Sequence, residues 1–98
     1  MSLHAAERAA LDRQLLFITT PALWPTWPFL SLVRRTRGEQ ELGLLFDALG
    51  TSGRTGYSAT VFAANLFLLP STFEEFLALP KEVFDTTEEL LAAHWRVD

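Results

Sequence analysis

The sequence has 98 residues, the size of one domain around one hydrophobic core, so we expect residues 1–98 to form a single domain. It has no cysteine, which excludes disulfides, thiol catalysis and thiolate metal sites. The net charge is −4, and from Pro70 onward seven acidic residues stand against two basic ones, which argues against general affinity for nucleic acid.

The distribution of apolar residues also predicts where the protein is found. No apolar run approaches the ~20 residues that a membrane-spanning helix needs. Charged residues interrupt the N-terminal segment, where a signal peptide would be apolar. We therefore expect a cytoplasmic protein with no membrane contact.

The first predicted element is a helix over residues 3–17. The polar residues His4, Arg8 and Asp12 recur every four positions, and apolar residues lie on the other side of the helix. The helix should end before Pro21, because the residue that precedes a proline is pushed out of the helical conformation.

A short segment with three prolines follows, from Pro21 to Pro28, and it contains Trp24 and Trp27. Proline fixes φ and favours an extended path without internal hydrogen bonds. Such a path would present the two indole rings at low entropic cost, and tryptophan is enriched at the energetic centres of protein interfaces.

Residues 29–36 and 39–47 are predicted to form a hairpin with its turn at Arg37-Gly38. In this register Arg34 faces Glu41, and each strand places alternate side chains on the two faces of the sheet. One face carries Phe29, Val33, Leu42, Leu44 and Phe46, and the other carries Leu30, Leu32 and Leu45.

The segment after the hairpin begins with a glycine-rich loop, and residues 57–67 then fit either a strand or a helix. Aromatic and β-branched residues favour a strand, whereas three alanines and Leu66 allow a helix. A third antiparallel strand is the simpler interpretation, because the segment follows a loop after a strand.

Two short helices are predicted near the C-terminus, over residues 72–79 and 87–95. Each follows a capping-box pattern, with Ser71 three residues before Glu74 and Thr86 three residues before Glu89. The expected fold class is therefore α+β: an N-terminal helix, a small antiparallel sheet made of the hairpin and a third strand, and two short C-terminal helices.

The sequence constrains the function less than the fold, and the high apolar content is its main indication of function. Hydrophobic residues make up 49% of the chain, with eight phenylalanines and three tryptophans, which is rich for so small a domain. We expect apolar surface to be shared with a partner. The preferred interpretation is a non-enzymatic interaction module, a homodimer or other homo-oligomer, with a contact surface formed by Trp24, Trp27, Phe29, Leu30 and Leu32.

Two alternatives stay open. Arginines 34, 35 and 37 at the hairpin tip could hold phosphates while tryptophans stack on bases, as in single-stranded nucleic-acid binding. The loop at residues 50–56 could instead hold an anion with Arg54, and Asp47 with Tyr57 could complete a ligand or catalytic site. That loop matches neither established nucleotide-binding glycine spacing, and acidic overall charge disfavours nucleic acid.

No metal or cofactor is expected. The two histidines, His4 and His94, lie at opposite ends of the chain, and neither has a second ligand at a spacing typical of metal sites.

Overall fold

The computed structural model describes residues 3–47 and 59–98. The fold is α+β, as expected, with an N-terminal helix, an antiparallel sheet and short C-terminal helices. The sheet has five strands where three were predicted. In chain order the helices and strands are α1 (Leu3–Ile18), β1 (Phe29–Thr36), β2 (Glu39–Phe46), β3 (Ala59–Phe62), α2 (Phe73–Leu77), β4 (Lys81–Phe84), α3 (Thr87–Ala92) and β5 (Arg96–Val97), with 3₁₀ turns at Pro21–Leu23 and Leu66–Leu68.

The hairpin of β1 and β2 has the register that the sequence predicts. Phe29 pairs with Phe46 and Arg34 with Glu41. At the turn Arg37 has φ 48° and Gly38 has φ 82°, both in the left-handed region. Two-residue hairpin turns with φ above zero at both central residues match the twist of the strands, which explains why the predicted register is correct.

The two strands that the sequence did not reveal lie at the edges of the sheet, whose order is β4-β3-β2-β1-β5. The interpretation of residues 57–67 is partly confirmed, because β3 pairs antiparallel with β2, although residues 57 and 58 lie outside the described part. β4 pairs with β3, and the two residues of β5 pair with Leu32 and Val33 of β1.

The predicted helix over residues 87–95 is too long. α3 ends at Ala92, and His94 has φ 74°, the left-handed conformation that commonly follows a helix C-terminus. This turn redirects the chain, so Trp95 leaves the helix and Arg96 enters the sheet.

The predicted extended path through the prolines is also wrong. Residues 21–23 form a 3₁₀ turn, in which the Trp24 N–H donates to the carbonyl of Pro21 at 3.0 Å. Residue Thr26 forms an isolated bridge with Phe29, and the peptide bond between Trp27 and Pro28 is cis. Local backbone hydrogen bonds therefore replace the open polyproline-like geometry.

The sheet separates two hydrophobic clusters, because successive side chains of a strand point to opposite faces. The larger cluster lies on the face of Leu30, Leu32 and Leu45, where the end of α1 and the helix α3 pack. The smaller one lies on the face of Leu44 and Phe62, where Phe76 of α2 packs. Both faces of the hairpin are thus covered, but the second face is covered by a helix of only five residues.

Both C-terminal helices begin with a hydroxyl residue that caps the first turn, as the sequence predicts, but one cap lies one residue later than expected. The hydroxyl of Thr86 accepts the Glu89 N–H at 3.2 Å, which confirms the second cap. The helix α2 is capped by Thr72 and not by Ser71, because the Thr72 hydroxyl accepts the Glu75 N–H at 3.1 Å. Among the helices of the described residues, none combines the length and apolar character needed to cross a membrane.

Candidate interaction surface

Three residues of the surface predicted from the sequence are buried inside this chain. Trp24 is 5% exposed, Leu30 is 3% exposed and Leu32 is fully buried, all within the larger cluster. The indole N–H of Trp24 donates to the carbonyl of Phe17 at 3.1 Å, so the ring closes the junction between α1 and the sheet. These three residues stabilise the core and are not accessible to a partner, which corrects the expectation.

The other two residues of that surface differ from each other. Trp27 is 50% exposed, whereas Phe29 is less exposed because other rings cover it. The ring of Phe29 packs against Phe46 and Phe76, with centroid separations of 5.3 and 5.4 Å. Trp27 is therefore the one residue of the predicted set that offers a large part of its side chain to solvent.

The two most exposed large apolar side chains of the described residues lie elsewhere, between residues 66 and 73, which we call the 66–73 patch. Phe67 is 92% exposed, Leu68 is 79% exposed and Phe73 is 55% exposed. A small apolar hollow of about 200 Å³ lies within the patch, lined by Phe29, Leu69, Pro70, Ser71, Thr72, Phe73 and Phe76.

The exposure of Phe67 follows from an ordered turn. The side-chain oxygen of Asn65 accepts the Phe67 N–H at 3.0 Å, and the carbonyl of Asn65 accepts the Leu68 N–H at 2.9 Å. Both bonds hold the 3₁₀ turn so that Phe67 and Leu68 point away from the core. Residues 59–73 contain no charged side chain, so the residues that form this patch carry no charge.

Sequence reasoning missed this patch because it placed residues 66 and 67 at the end of a strand, where alternate side chains would be buried. Two signals pointed to the turn. Pro70 cannot continue a strand ladder, and Asn65 is a residue type that caps short helical turns through its side chain.

The basic cluster at the hairpin tip is divided by its contacts. Nη2 of Arg34 lies 2.8 Å from a carboxylate oxygen of Glu41 and 3.0 Å from one of Glu82. The guanidinium also lies over the indole of Trp95, with 4.3 Å between Cζ and the ring centroid. Arg35 and Arg37 are exposed. Arg34 thus joins β1, β2 and β4 and is not available for an external anion.

The hydrogen bond between these groups changes their titration. The hydrogen bond from Arg34 to Glu41 raises the pKa of Arg34 and lowers the pKa of Glu41 below its usual value. The strand register and the 2.8 Å distance confirm the predicted cross-strand pair of Arg34 and Glu41, and Glu82, which the sequence did not link to the hairpin, extends it.

The third predicted site is described only in part. Asp47 is buried, at 3% exposure, and its N–H donates to the carbonyl of Pro28 at 2.9 Å. Arg54 and Tyr57 lie outside the described residues, as does the glycine-rich loop. Within residues 3–47 and 59–98, no group of three or more histidine, cysteine, aspartate or glutamate side chains is placed to hold a metal ion.

Comparisons of this chain with protein-family models, with curated proteins and with solved structures found no match. The functional interpretation therefore depends on the geometry of the chain itself.

Proposed function

We propose that this chain is a non-enzymatic protein-interaction module that self-associates, and that the 66–73 patch is its contact surface. The observation that supports the proposal is the exposure of Phe67 and Leu68, at 92% and 79%, on a turn held by Asn65. Contiguous apolar patches on the surface of small proteins mark interaction sites more often than scattered single residues do.

The energetics favour a contact at this patch. Burial of apolar surface contributes roughly 25 cal/mol per Å², and a phenylalanine side chain that leaves water contributes about 2 kcal/mol. The hollow beside Phe73 offers a recess of the size that an aromatic or leucine side chain can enter. Residues 66–73 carry no charge, so two copies that meet there bring no like charges of the patch itself together.

The competing functions receive less support from the described residues. Nucleic-acid binding through the hairpin tip is left with Arg35 and Arg37, because Arg34 is paired and Trp24 is buried. The half-exposed Trp27 lies near the start of β1, whereas these arginines lie at its far end, roughly 20 Å away at the usual rise per strand residue.

Sedimentation velocity over a range of concentrations tests the proposal. We expect the wild-type chain to associate, and a Phe67→Ser/Leu68→Ser variant to associate at least tenfold more weakly, an effect of about 1.4 kcal/mol or more. Val83→Ser is the matched control, because Val83 is 61% exposed on the edge strand β4, outside the patch. It should change the association less than about twofold.

Two results would contradict the proposal. A wild-type chain that stays monomeric up to about 100 µM would have no self-contact worth even ~5.5 kcal/mol. Loss of association in Trp27→Ser, with none in the Phe67/Leu68 variant, would move the contact to the surface around Trp27.

A further inference from the structure

The N-terminal part of α1 packs little against the rest of the described chain. Residues 4–13 of α1 are all exposed, and the helix contacts the rest of the protein through its C-terminal end. There Ile18 is fully buried, and the side-chain oxygen of Gln14 accepts the Val97 N–H at 2.8 Å. Residues 4–13 thus pack little against the other described residues.

A helical segment in this situation gains stability from a partner. Isolated helices shorter than about 12–15 residues are marginal in water, because the first turn is costly to form and most helix stability in proteins comes from packing of one face. The ten exposed residues extend from the packed end of the 16-residue α1, so what they lack is a packed face. A second surface that packs on α1 would therefore stabilise the helix and the contact together.

The face of α1 available for such a contact is the one that points away from the core. Successive helical residues are rotated by about 100°, so Leu15 and Ile18, which pack on the core, lie on one side. The opposite side carries Ala5, Ala9 and Leu16. Leu16 is 64% exposed, and the two alanines are small enough to let another helix approach closely.

Charges beside this face select the partner. Arg8 and Asp12 lie along one edge of it, one turn apart, and neither forms an ion pair with another described residue. When a second copy of the helix packs antiparallel, Arg8 of each copy lies beside Asp12 of the other. A parallel arrangement would instead bring Asp12 near Asp12 of the second copy and Arg8 near Arg13 of the second copy, so that like charges meet, which is unfavourable.

We infer that α1 packs antiparallel against α1 of a second copy of this chain. The contact is formed by Ala5, Ala9 and Leu16, with Leu16 of one copy over Ala5 of the other, and two Arg8–Asp12 pairs fix the direction. On the opposite edge Arg13 lies beside Ala6 of the second copy, where no like charge opposes it. The inference rests on the proposed self-association and adds a contact distinct from the 66–73 patch.

Charge exchange between copies tests this contact. Arg8→Asp and Asp12→Arg each place like charges at both pairs, so each variant alone should associate about tenfold more weakly than wild type, as judged by sedimentation velocity. An equimolar mixture of the two variants restores both opposite-charge pairs and should recover association. Within each variant helix residues 8 and 12 still carry like charges, so recovery in the mixture cannot come from helix stability.

A charge reversal on the other side of the helix provides the control. Glu7 lies about 180° from the centre of the proposed contact, so Glu7→Arg should change association less than twofold. If the single variants associate like wild type, or if the mixture is as weak as its components, the antiparallel contact is overturned.

The outcomes also separate this inference from the proposed function. A monomeric wild-type chain overturns both. Association that is lost in the Phe67/Leu68 variant but unchanged by Arg8→Asp supports the patch and overturns the helix contact. Association that follows the charge exchange but ignores the Phe67/Leu68 variant supports the helix contact and overturns the patch.

Discussion

At the scale of single residues, Gly43 is the position with the least room for change. It lies in β2 beneath the ring of Trp95, on the face that packs the larger cluster. A methyl group at this position would lie 2.6 Å from Cγ1 of Val61 and 3.0 Å from Cη2 of Trp95. Both neighbours belong to the buried core, so neither can move away at low cost.

We therefore expect Gly43→Ala to lower the free energy of unfolding by about 1–3 kcal/mol, as for other substitutions that overfill a packed core. Urea unfolding followed by tryptophan fluorescence would measure the loss. Gln40→Ala, at an exposed position of the same strand, is the control and should stay within about 0.5 kcal/mol of wild type. Equal stability of Gly43→Ala and wild type would show that Trp95 does not pack on this strand as described.

The pair of Arg34 and Glu41 predicts a pH dependence whose direction follows from the lowered pKa of Glu41. The carboxylate is held in its charged form in the folded state, mainly by the hydrogen bond from Arg34. In the unfolded state it titrates at its ordinary value of 4.5. The unfolded state thus binds more protons over the interval below that value, and the stabilisation from the pair is lost as the pH falls through it.

We expect Glu41→Gln to be less stable than wild type at pH 7, and the difference to disappear as the pH falls below 4.5 towards the lowered pKa. Urea unfolding of both proteins over a series of pH values would show the convergence. Glu39→Gln is the control, because Glu39 faces Thr36 across the hairpin and not an arginine. A difference between wild type and Glu41→Gln that is constant with pH would rule out a role for the charge.

At the scale of elements, the cap of α2 is Thr72 and not Ser71, the residue that the sequence pattern indicated. Thr72 accepts the Glu75 N–H, whereas Ser71 contacts the side chain of Glu75 at 3.3 Å on the surface. A cap that satisfies a backbone donor of the first turn contributes about 1 kcal/mol, and an exposed polar contact much less.

Thr72→Ala should therefore lower the free energy of unfolding by about 1 kcal/mol, while Ser71→Ala should change it by less than about 0.5 kcal/mol. Chemical unfolding of the two variants under the same conditions provides the comparison. The reverse order of stabilities would restore Ser71 as the cap, as the sequence pattern first indicated.

Other elements show what local sequence can predict. The hairpin register was predictable because turn chemistry at Arg37-Gly38, charge pairing and the apolar alternation all favour one pairing. β4 and β5 were not predictable. They have four and two residues, follow no alternating pattern long enough to recognise, and exist because they pair with strands distant in the sequence.

At the scale of the whole molecule, the contact surface could not be read from the sequence because burial depends on where the helices dock. The hairpin presents apolar residues on both faces, and the pattern does not say which face receives α1 and α3 and which receives the short α2. Docking buried Trp24, Leu30 and Leu32, and it left Phe67 and Leu68 of the 66–73 patch exposed.

The same docking accounts for the elongated outline of the molecule, which measures 49 × 33 × 23 Å. Ile18 and Trp24 fix the C-terminal end of α1 to the core. Residues 4–13 of the same helix are exposed. A chain with a compact sheet at one end and an unsupported helix at the other is suited to contact more than one neighbour.

The placement of Trp95 and β5 has a consequence for the order of events during synthesis. Trp95 covers Gly43 on the central strand β2, and Val97 pairs with Leu32 to form the edge strand, so residues that follow the hairpin at a distance complete the sheet. A ribosome produces the hairpin more than 45 residues earlier than it produces Trp95. Ile18 and Trp24, which pack on the same face of the hairpin, precede it in the sequence, but the part of that face beneath Trp95 stays uncovered until residues 95–97 have been made.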